Sequence, residues 1–357
     1  MIVDVVLGSM RRLRTRIERE TLARAKYDGR GVSHGGRRAE IEALVAMGAR
    51  EASLGRIYES HCNAAQLVAL FGTEAQRRQA HADAYAGELF ALWHEPDEAG
   101  VHIERRRSGY VLRGSVMRAA AADTVTRAAI VARRPDGGLQ LCLVPLDRCH
   151  VTIDDSGWQP LGLEASNSYR VCFDEIELND EDLLGAPGDY ERDPWLLGGA
   201  LRQAAVLTGA IERLTRETLA FLVARGLDQE ASVRVRAGEL RIAARSARNW
   251  LRAGEETWQD FDAAPSERTA ENVVDVAGMA RVAIERAARD AIEHSTRCVG
   301  AAGLVRPLPF AQLVSDLHML LGDRGTDAAL ARSGEIGLRL GTSLHSVTMS
   351  DSLRSVR

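Results

Sequence analysis

The sequence is nearly without lysine. Of its 46 lysine and arginine residues, only Lys26 is a lysine. Mechanisms that need a lysine base or a Schiff base have that single candidate, in a loop-like stretch, and we exclude them. The chain also lacks an excess of positive charge, because its formal net charge is −4 at pH 7. Without a basic field, neither nucleic acid nor an anionic membrane is expected as a partner.

Long hydrophobic runs are missing as well. The longest apolar runs are far shorter than the roughly 20 residues that a membrane-spanning helix needs. In the first residues, MIVDVVLGSMRRLRTR, the apolar stretch precedes the arginines, which is the wrong order for a secretory signal. The sequence therefore predicts a cytoplasmic protein.

Cysteine is sparse and scattered. The five cysteines include no CxxC pair, so the sequence predicts neither a zinc site nor a disulfide framework. The chain also contains no GxSxG, no HExxH and no P-loop. The common signatures of hydrolases and nucleotide triphosphatases are therefore absent, and no metal is expected.

The patterns that are present divide the chain into zones. Apolar residues at helical spacing dominate the first and the last third, as in Leu201, Ala204, Thr208 and Ile211. Between them the period changes to two, and Pro135-Asp-Gly-Gly138 is a strong turn signal. Within the run from Tyr169 to Leu178, the apolar alternation changes phase at Asp174-Glu175, which predicts a β-bulge or a tight bend.

These patterns predict a mostly α protein with a small β domain. The expected parts are an N-terminal helical domain over 1–90, a central β-barrel-like domain over 91–190 and a C-terminal helical bundle over 191–340. A Ser/Thr-rich tail over 341–357 is expected to be loose.

Four stretches carry a resemblance to a known family. They are ALWHEPDEAG (Ala91 to Gly100), Gly109-Tyr-Val-Leu-Arg-Gly114, LGLEASNSYRVCFDEIEL (Leu161 to Leu178) and RCVGAAGLVRPLPFAQLVSDLHMLLGDRGT (Arg297 to Thr326). In this order they resemble motifs of the acyl-CoA dehydrogenases: the A-x-T-E-P-x-x-G-S-D motif, the strand pair after it, the end of the β domain, and the segment from the Q-x-x-G-G-x-G turn to Y-E-G-T. The resemblance implies that family's helical, β and helical architecture.

The resemblance also implies a non-covalent FAD between the β domain and the bundle, held partly by a second subunit of a homodimer or homotetramer. The positions that match the family's cofactor-binding motifs are His94, Glu95, Ala120, Arg225, Arg297, Gly300 and Gly303. His94 replaces the threonine expected to bond the flavin ring, and Arg297 replaces a glutamine. The two glycines fit either a close approach of backbone to cofactor or a helix cap and turn.

The family's catalytic base is the main departure. Arg324 stands where Y-E-G-T carries the catalytic glutamate, and a guanidinium cannot abstract a proton. Some members carry the base before an arginine early in the bundle. Here that arginine is Arg202, and Leu201 precedes it. The remaining candidates for the base are Asp323 and His318.

The substrate-binding candidates are Arg202 and Trp93, and His61 is a further pocket candidate. For these aromatic side chains a place in the core is the alternative. Arg324 either binds a substrate carboxylate or phosphate or is a surface charge.

The function expected from this resemblance is an FAD-dependent oxidoreductase that acts on an acyl thioester of coenzyme A or of a carrier protein, with an electron-transfer or reductase partner. Loss of the glutamate leaves two alternatives open. One is a flavin-dependent monooxygenase on the same fold, which needs no α-proton base but does need a dry pocket. The other is a catalytically silent scaffold that binds an acyl group or a protein partner.

Overall fold

The computed structural model describes residues 34–94, 96–322 and 325–352. The described chain begins with three helices, α1 (His34–Arg50), α2 (Ala52–Phe71) and α3 (Glu74–Tyr85). A capping box starts α3, because Thr73 Oγ1 accepts a hydrogen bond from the Gln76 amide at 3.2 Å and Gln76 Oε1 accepts one from the Thr73 amide at 2.7 Å.

Eight strands follow in the described part of the chain. They are β1 (Phe90–Trp93), β2 (Pro96–Arg106), β3 (Gly109–Ala119), β4 (Arg127–Arg133), β5 (Leu139–Pro145), β6 (Thr152–Asp154), β7 (Tyr169–Leu178) and β8 (Leu183–Leu184). They form one sheet of order β6-β7-β3-β2-β4-β5-β8, and β1 pairs with β4 in parallel. Short 3-10 turns cover Glu164–Ser166, Asp180–Asp182 and Asp189–Glu191.

Two local predictions are confirmed in this sheet. The β4–β5 hairpin closes on the predicted turn, where the Arg134 amide donates to the Gly138 carbonyl at 2.8 Å. In the β3–β7 pairing, Leu112 faces Ile176 and Gly114 faces Phe173, so β7 carries an extra residue. Glu175 adopts φ +53° there, as a bulge requires.

Helices fill the rest of the described chain. They are α4 (Trp195–Gly198), α5 (Ala200–Ala224), α6 (Ala231–Ala263), α7 (Glu267–Gly303), α8 (Phe310–Leu320) and α9 (Thr326–Ser352). The predicted stripe of α5 is buried, including Leu201, Ala204, Thr208 and Ile211. Thr218 Oγ1 lies 2.7 Å from Ser295 Oγ, so α5 packs on α7 through hydroxyls as well as small apolar side chains.

Close approach of α1 and α5 depends on glycine. A Cβ at Gly209 would lie 2.0 Å from the Val45 carbonyl oxygen, and one at Gly48 would lie 2.2 Å from the Val206 carbonyl oxygen. The two backbones are therefore in direct contact, which joins the amino-terminal helices to the bundle.

The described elements follow the predicted order of helices, strands and helices. The sheet begins at Phe90 and ends at Leu184, close to the predicted limits of 91 and 190. The segment after Gly341 differs from the expected loose tail, because α9 continues to Ser352. The helix can continue past Gly341 because no proline follows Pro309, and a single glycine destabilises a helix by only about 1 kcal/mol.

Among the described residues, no helix is long and apolar enough to cross a membrane.

Candidate functional site

A cavity of about 550 Å³ lies where the amino-terminal helices, the end of β1 and the C-terminal helices meet. We call it the central cavity. Its apolar lining includes Leu67, Leu92, Tyr190, Trp195 and Leu197, and its polar lining includes Arg56, Glu59, Asn63, Gln66, His94, Gln203, Asp275, Arg281, Arg332 and Ser333. The volume is within the range of small-molecule and cofactor sites.

Strand β1 brings His94 to this cavity, and two side chains of α2 hold the strand. Ser60 Oγ accepts from the Leu92 amide at 3.0 Å and lies 3.1 Å from the Leu92 carbonyl oxygen. His61 Nδ1 accepts from the Phe90 amide at 3.2 Å. Burial lowers the pKa of His61 to about 4, so its ring is neutral and acts as an acceptor. Both side chains supply the outer edge of β1 with hydrogen bonds that a further strand would otherwise provide.

Trp93 and Ala120 lie behind this wall. Trp93 is 2% exposed, and its Nε1 donates to the Ala120 carbonyl at 3.0 Å. Ala120 is 1% exposed. The described residues that line the central cavity do not include Trp93, Ala120 or His61. The structure therefore places Trp93, His61 and the Ala120 side chain in the core.

The α2 wall is organised by Arg202, which is 4% exposed. Its Nε pairs with Glu40, and its Nη1 donates to Asn63 Oδ1 at 3.0 Å and to Gln66 Oε1 at 2.7 Å. Since a guanidinium only donates, it fixes both amides with their oxygens towards itself. Arg202 Nη2 is buried without a hydrogen-bond partner among the described residues.

The same wall continues as a chain of hydrogen bonds from Arg202 to Arg56. Asn63 Nδ2 donates to Glu59, and Glu59 also pairs with Arg56. The predicted substrate-binding candidate Arg202 is thus brought beside the cavity, where it positions the lining amides of Asn63 and Gln66.

The opposite wall comes from α7 and α9. Arg281 Nε donates to Glu285 Oε1 at 3.1 Å, and Thr326 Oγ1 donates to the same carboxylate at 3.0 Å. Glu285 is 1% exposed, so this pair is desolvated. A Cβ at Gly278 would lie 3.3 Å from Ala329 Cβ, which shows how closely α7 and α9 pack.

Of the residues predicted to act at the catalytic position, the structure describes His318 but not Asp323 or Arg324. Asp323, Arg324 and the cofactor candidate Glu95 lie outside the described residues. The next residue, Gly325, lines the central cavity. His318 is exposed in the last turn of α8 and is not among the described cavity-lining residues. Catalytic roles for Asp323, Arg324 and His318 stay predictions.

Two of the cofactor candidates are arginines at the far end of the bundle. Arg225 follows the last residue of α5, which spans ~37 Å from Ala200 beside the cavity. Its guanidinium lies 5.3 Å from the ring centre of Phe221. Arg297 is exposed and pairs with Glu293 at 2.8 Å. A ligand in the cavity of one chain is too far away for Arg225 of that chain to hold it.

Local structure explains why glycine stands at the two candidate positions, Gly300 and Gly303. Gly300 breaks α7 with φ +62°, and nothing lies within 4 Å of the place a Cβ would take. A Cβ at Gly303 would lie 2.4 Å from Val299 Cβ, so the second glycine relieves crowding within the helix end. The open space at Gly300 leaves room for an approaching group, whereas Gly303 is buried.

Another cavity, of about 310 Å³, lies beside Arg118. Asp154, Ser156, Ser168 and Arg170 also line it. Ser156 Oγ donates to Asp154 Oδ1 at 2.6 Å, and Arg170 Nη2 donates to Ser115 Oγ at 3.2 Å, so these polar groups already have partners within the protein. The sequence pattern alone did not single out these residues.

The sequence patterns also did not identify most of the polar residues that line the central cavity. Asp275 and Arg281 interrupt the apolar stripe of α7, and Asn63 and Gln66 interrupt that of α2. Polar residues on an otherwise buried helix face were the available signal, but helical spacing alone does not tell which of them meet.

No protein-family model and no curated protein matches the sequence. Solved structures do match over most of the chain. Butyryl-CoA dehydrogenase from Megasphaera elsdenii has a TM-score of 0.78 at 16% identity, covering 91% of this chain and 89% of its own. KijD3, in complex with FMN and a dTDP-linked amino sugar, has a TM-score of 0.76 at 17% identity, covering 94% and 93%.

TdsC from Paenibacillus sp. A11-2, in complex with FMN and indole, has a TM-score of 0.77 at 17% identity and covers 94% of this chain and 96% of its own. These likenesses cover more than nine tenths of the chain. The chain therefore has the acyl-CoA dehydrogenase-like fold that the four sequence stretches predicted.

Proposed function

We propose that the protein is a flavin-dependent oxidoreductase of the acyl-CoA dehydrogenase type. The observation that carries this proposal is the central cavity of about 550 Å³, which is bounded by the β1 end on one side and by helices on the others. His94, which replaces the threonine expected to bond the flavin ring, lines it. KijD3 and TdsC, which share the fold, are complexes with FMN.

The residues present fit a flavin. Leu92, Tyr190 and Trp195 offer apolar surface for a ring, and His94 offers a polar group beside it. A bound flavin would accept or deliver the two electrons of the reaction.

FAD is the form of flavin that we expect. The position of Arg225 suggests that a second copy of the chain helps to bind it. Its exposed guanidinium lies ~37 Å along α5 from the cavity, so it would serve the cofactor of a partner in a homodimer or homotetramer. FMN would need no such contact. Comparing the two cofactors therefore tests the role of Arg225.

For the substrate we propose an acyl thioester of coenzyme A or a carrier protein. Gln66 lines the cavity with its amide oxygen held by Arg202 at 2.7 Å, so its amide nitrogen is left to donate to a carbonyl. Hydrogen bonds to the thioester carbonyl are what acidify the α proton. Asp323 and His318 are the proposed bases, and an electron-transfer or reductase partner would regenerate the cofactor.

A flavin-dependent monooxygenase is the second candidate, because Arg324 stands where the family carries its catalytic glutamate and this chemistry needs no α-proton base. TdsC, whose fold this chain shares, is a dibenzothiophene monooxygenase.

The first test is the visible absorption spectrum after incubation with excess FAD or FMN and desalting. We expect retained flavin bands, a higher melting temperature with FAD, and loss of the FAD preference in Arg225→Ala. A colourless protein after both incubations would reject the proposal and leave the scaffold that binds an acyl group or partner.

The second test separates the two enzymes. Anaerobic mixing with butyryl-CoA or longer acyl-CoA thioesters should bleach the flavin of a dehydrogenase. No bleaching at any chain length, together with oxygen incorporation into indole by the reduced enzyme, would favour the monooxygenase instead.

A further inference from the structure

The charges around the central cavity are almost fully compensated. The three arginines that line it each have an acidic partner, in the pairs Arg56 with Glu59, Arg281 with Glu285, and Arg332 with Asp193. Glu59 is thereby neutralised as well. Of the carboxylates that line the cavity in the described part of the chain, this leaves Asp275 without a counter-charge.

Asp275 lies on α7 between Val274 and Gly278, which also line the cavity. Its Oδ1 is shielded from solvent and has no hydrogen-bond partner within the described ranges. A carboxylate oxygen in this state is costly, because it has lost its water and gained nothing in return. Native proteins keep few such groups, so each one calls for a physical explanation.

The chemistry of the missing partner follows from this carboxylate. A hydroxyl would supply a hydrogen bond but would leave the negative charge uncompensated. A protonated amine supplies both, through a charge-assisted hydrogen bond that is about twice as strong as a neutral one. A hydrocarbon chain supplies neither.

We propose that the central cavity takes a substrate that carries a protonated amine, and that Asp275 binds this amine. The inference rests on the proposed function for the rest of the substrate, which would make it an acyl thioester with an amine on its acyl group. Asp275 then selects among acyl groups by charge, whereas the Gln66 amide meets the carbonyl.

The experiment uses the full chain, both as purified and after loading with FAD, and three probes of similar size: n-butylamine, 1-butanol and butyrate. Binding is measured by ligand-observed NMR titration near neutral pH. We expect the amine to bind more tightly than the alcohol and butyrate to bind least. Asp275→Asn should weaken the amine by about tenfold or more and leave the alcohol nearly unchanged.

Asp290→Asn is the matched control, because Asp290 is exposed on the same helix and the change removes the same charge. It should leave all three affinities unchanged. A second readout is the melting temperature without probe. Asp275→Asn should raise it or leave it unchanged, since the substitution removes a negative charge without a counter-charge, one oxygen of which is shielded from solvent. If Asp275 had only a structural role, the substitution would lower the melting temperature.

Three outcomes would overturn the proposal: no binding of the amine, equal loss of amine and alcohol in Asp275→Asn, or an amine affinity that this substitution leaves unchanged. Equal loss would make Asp275 a general hydrogen-bond acceptor. The readout is independent of the flavin spectrum, so a protein that binds the amine but no flavin would reject the proposed function and keep this inference.

Discussion

Replacing His61 by asparagine should flatten the acid side of the protein's stability profile. The Nδ1 of His61 accepts from the Phe90 amide at 3.2 Å, and its ring packs against Phe90 with centroids 5.8 Å apart. Burial lowers the pKa of His61 from 6.5 to about 4. The folded protein therefore holds the ring neutral at a pH where the unfolded chain already protonates it.

The sign and size follow from proton linkage. A lowered folded-state pKa contributes stability that is present above pH 6.5 and is lost as the pH falls towards 4. Between about pH 7.5 and about pH 5, the loss from this one residue is roughly 2 kcal/mol. Asparagine keeps an acceptor oxygen near the Nδ1 position but does not titrate, so its variant should lack this component.

The assay is chemical denaturation of both proteins at several pH values, read as the difference between them. Carboxylates that titrate in both proteins cancel in that difference. The lost ring lowers the variant's stability at every pH, so the slope with pH is the informative quantity. His318→Asn is the control, because that histidine is exposed and should leave the slope unchanged. Equal slopes for wild type and His61→Asn would show that His61 is not held neutral in the core.

Two further predictions concern the frame of the site. Arg202→Met should lower the free energy of unfolding by about 3–5 kcal/mol, because it leaves Glu40 without its buried partner; adding Glu40→Gln should recover part of the loss in the same denaturation assay, and a loss below about 1 kcal/mol would contradict the role of this pair. Gly162→Ala should cost about 1–3 kcal/mol by thermal or chemical unfolding, since its Cβ would lie 2.4 Å from the Ser315 carbonyl carbon. Gly157→Ala, in the same loop with nothing within 4 Å, is its control, and equal effects would reject the reasoning.

Local features of the fold could be predicted because their causes are local. The hairpin at Pro135 to Gly138 follows from turn residues, and the bulge at Asp174-Glu175 follows from a change of phase in a period-two pattern. The helix stripe of α5 follows from its apolar spacing. The tail after Gly341 was not predicted correctly. Its serines and threonines suggested a loose chain, whereas α9 continues to Ser352.

The candidate site was predicted less completely. Resemblance pointed to His94 and Arg202, and both contribute to the central cavity or to its wall. It also pointed to Trp93, which is instead turned into the core by the bond from its indole to Ala120. Asp275 belongs to no motif, and the one signal along the chain was a polar residue beside the apolar stripe of its helix.

By itself, the sequence determined the order of helices and strands and their turns and faces, because hydrophobic period and turn chemistry act over a few residues. The kind of fold came from the resemblance of four stretches to a known family. Only the tertiary structure decided which charges face one another across the central cavity. Arg56, Arg281 and Arg332 find acidic partners on adjacent turns or on distant elements, and Asp275 does not. Compensation of buried charge depends on distance in space, and positions along a helix do not fix that distance until the helices have packed.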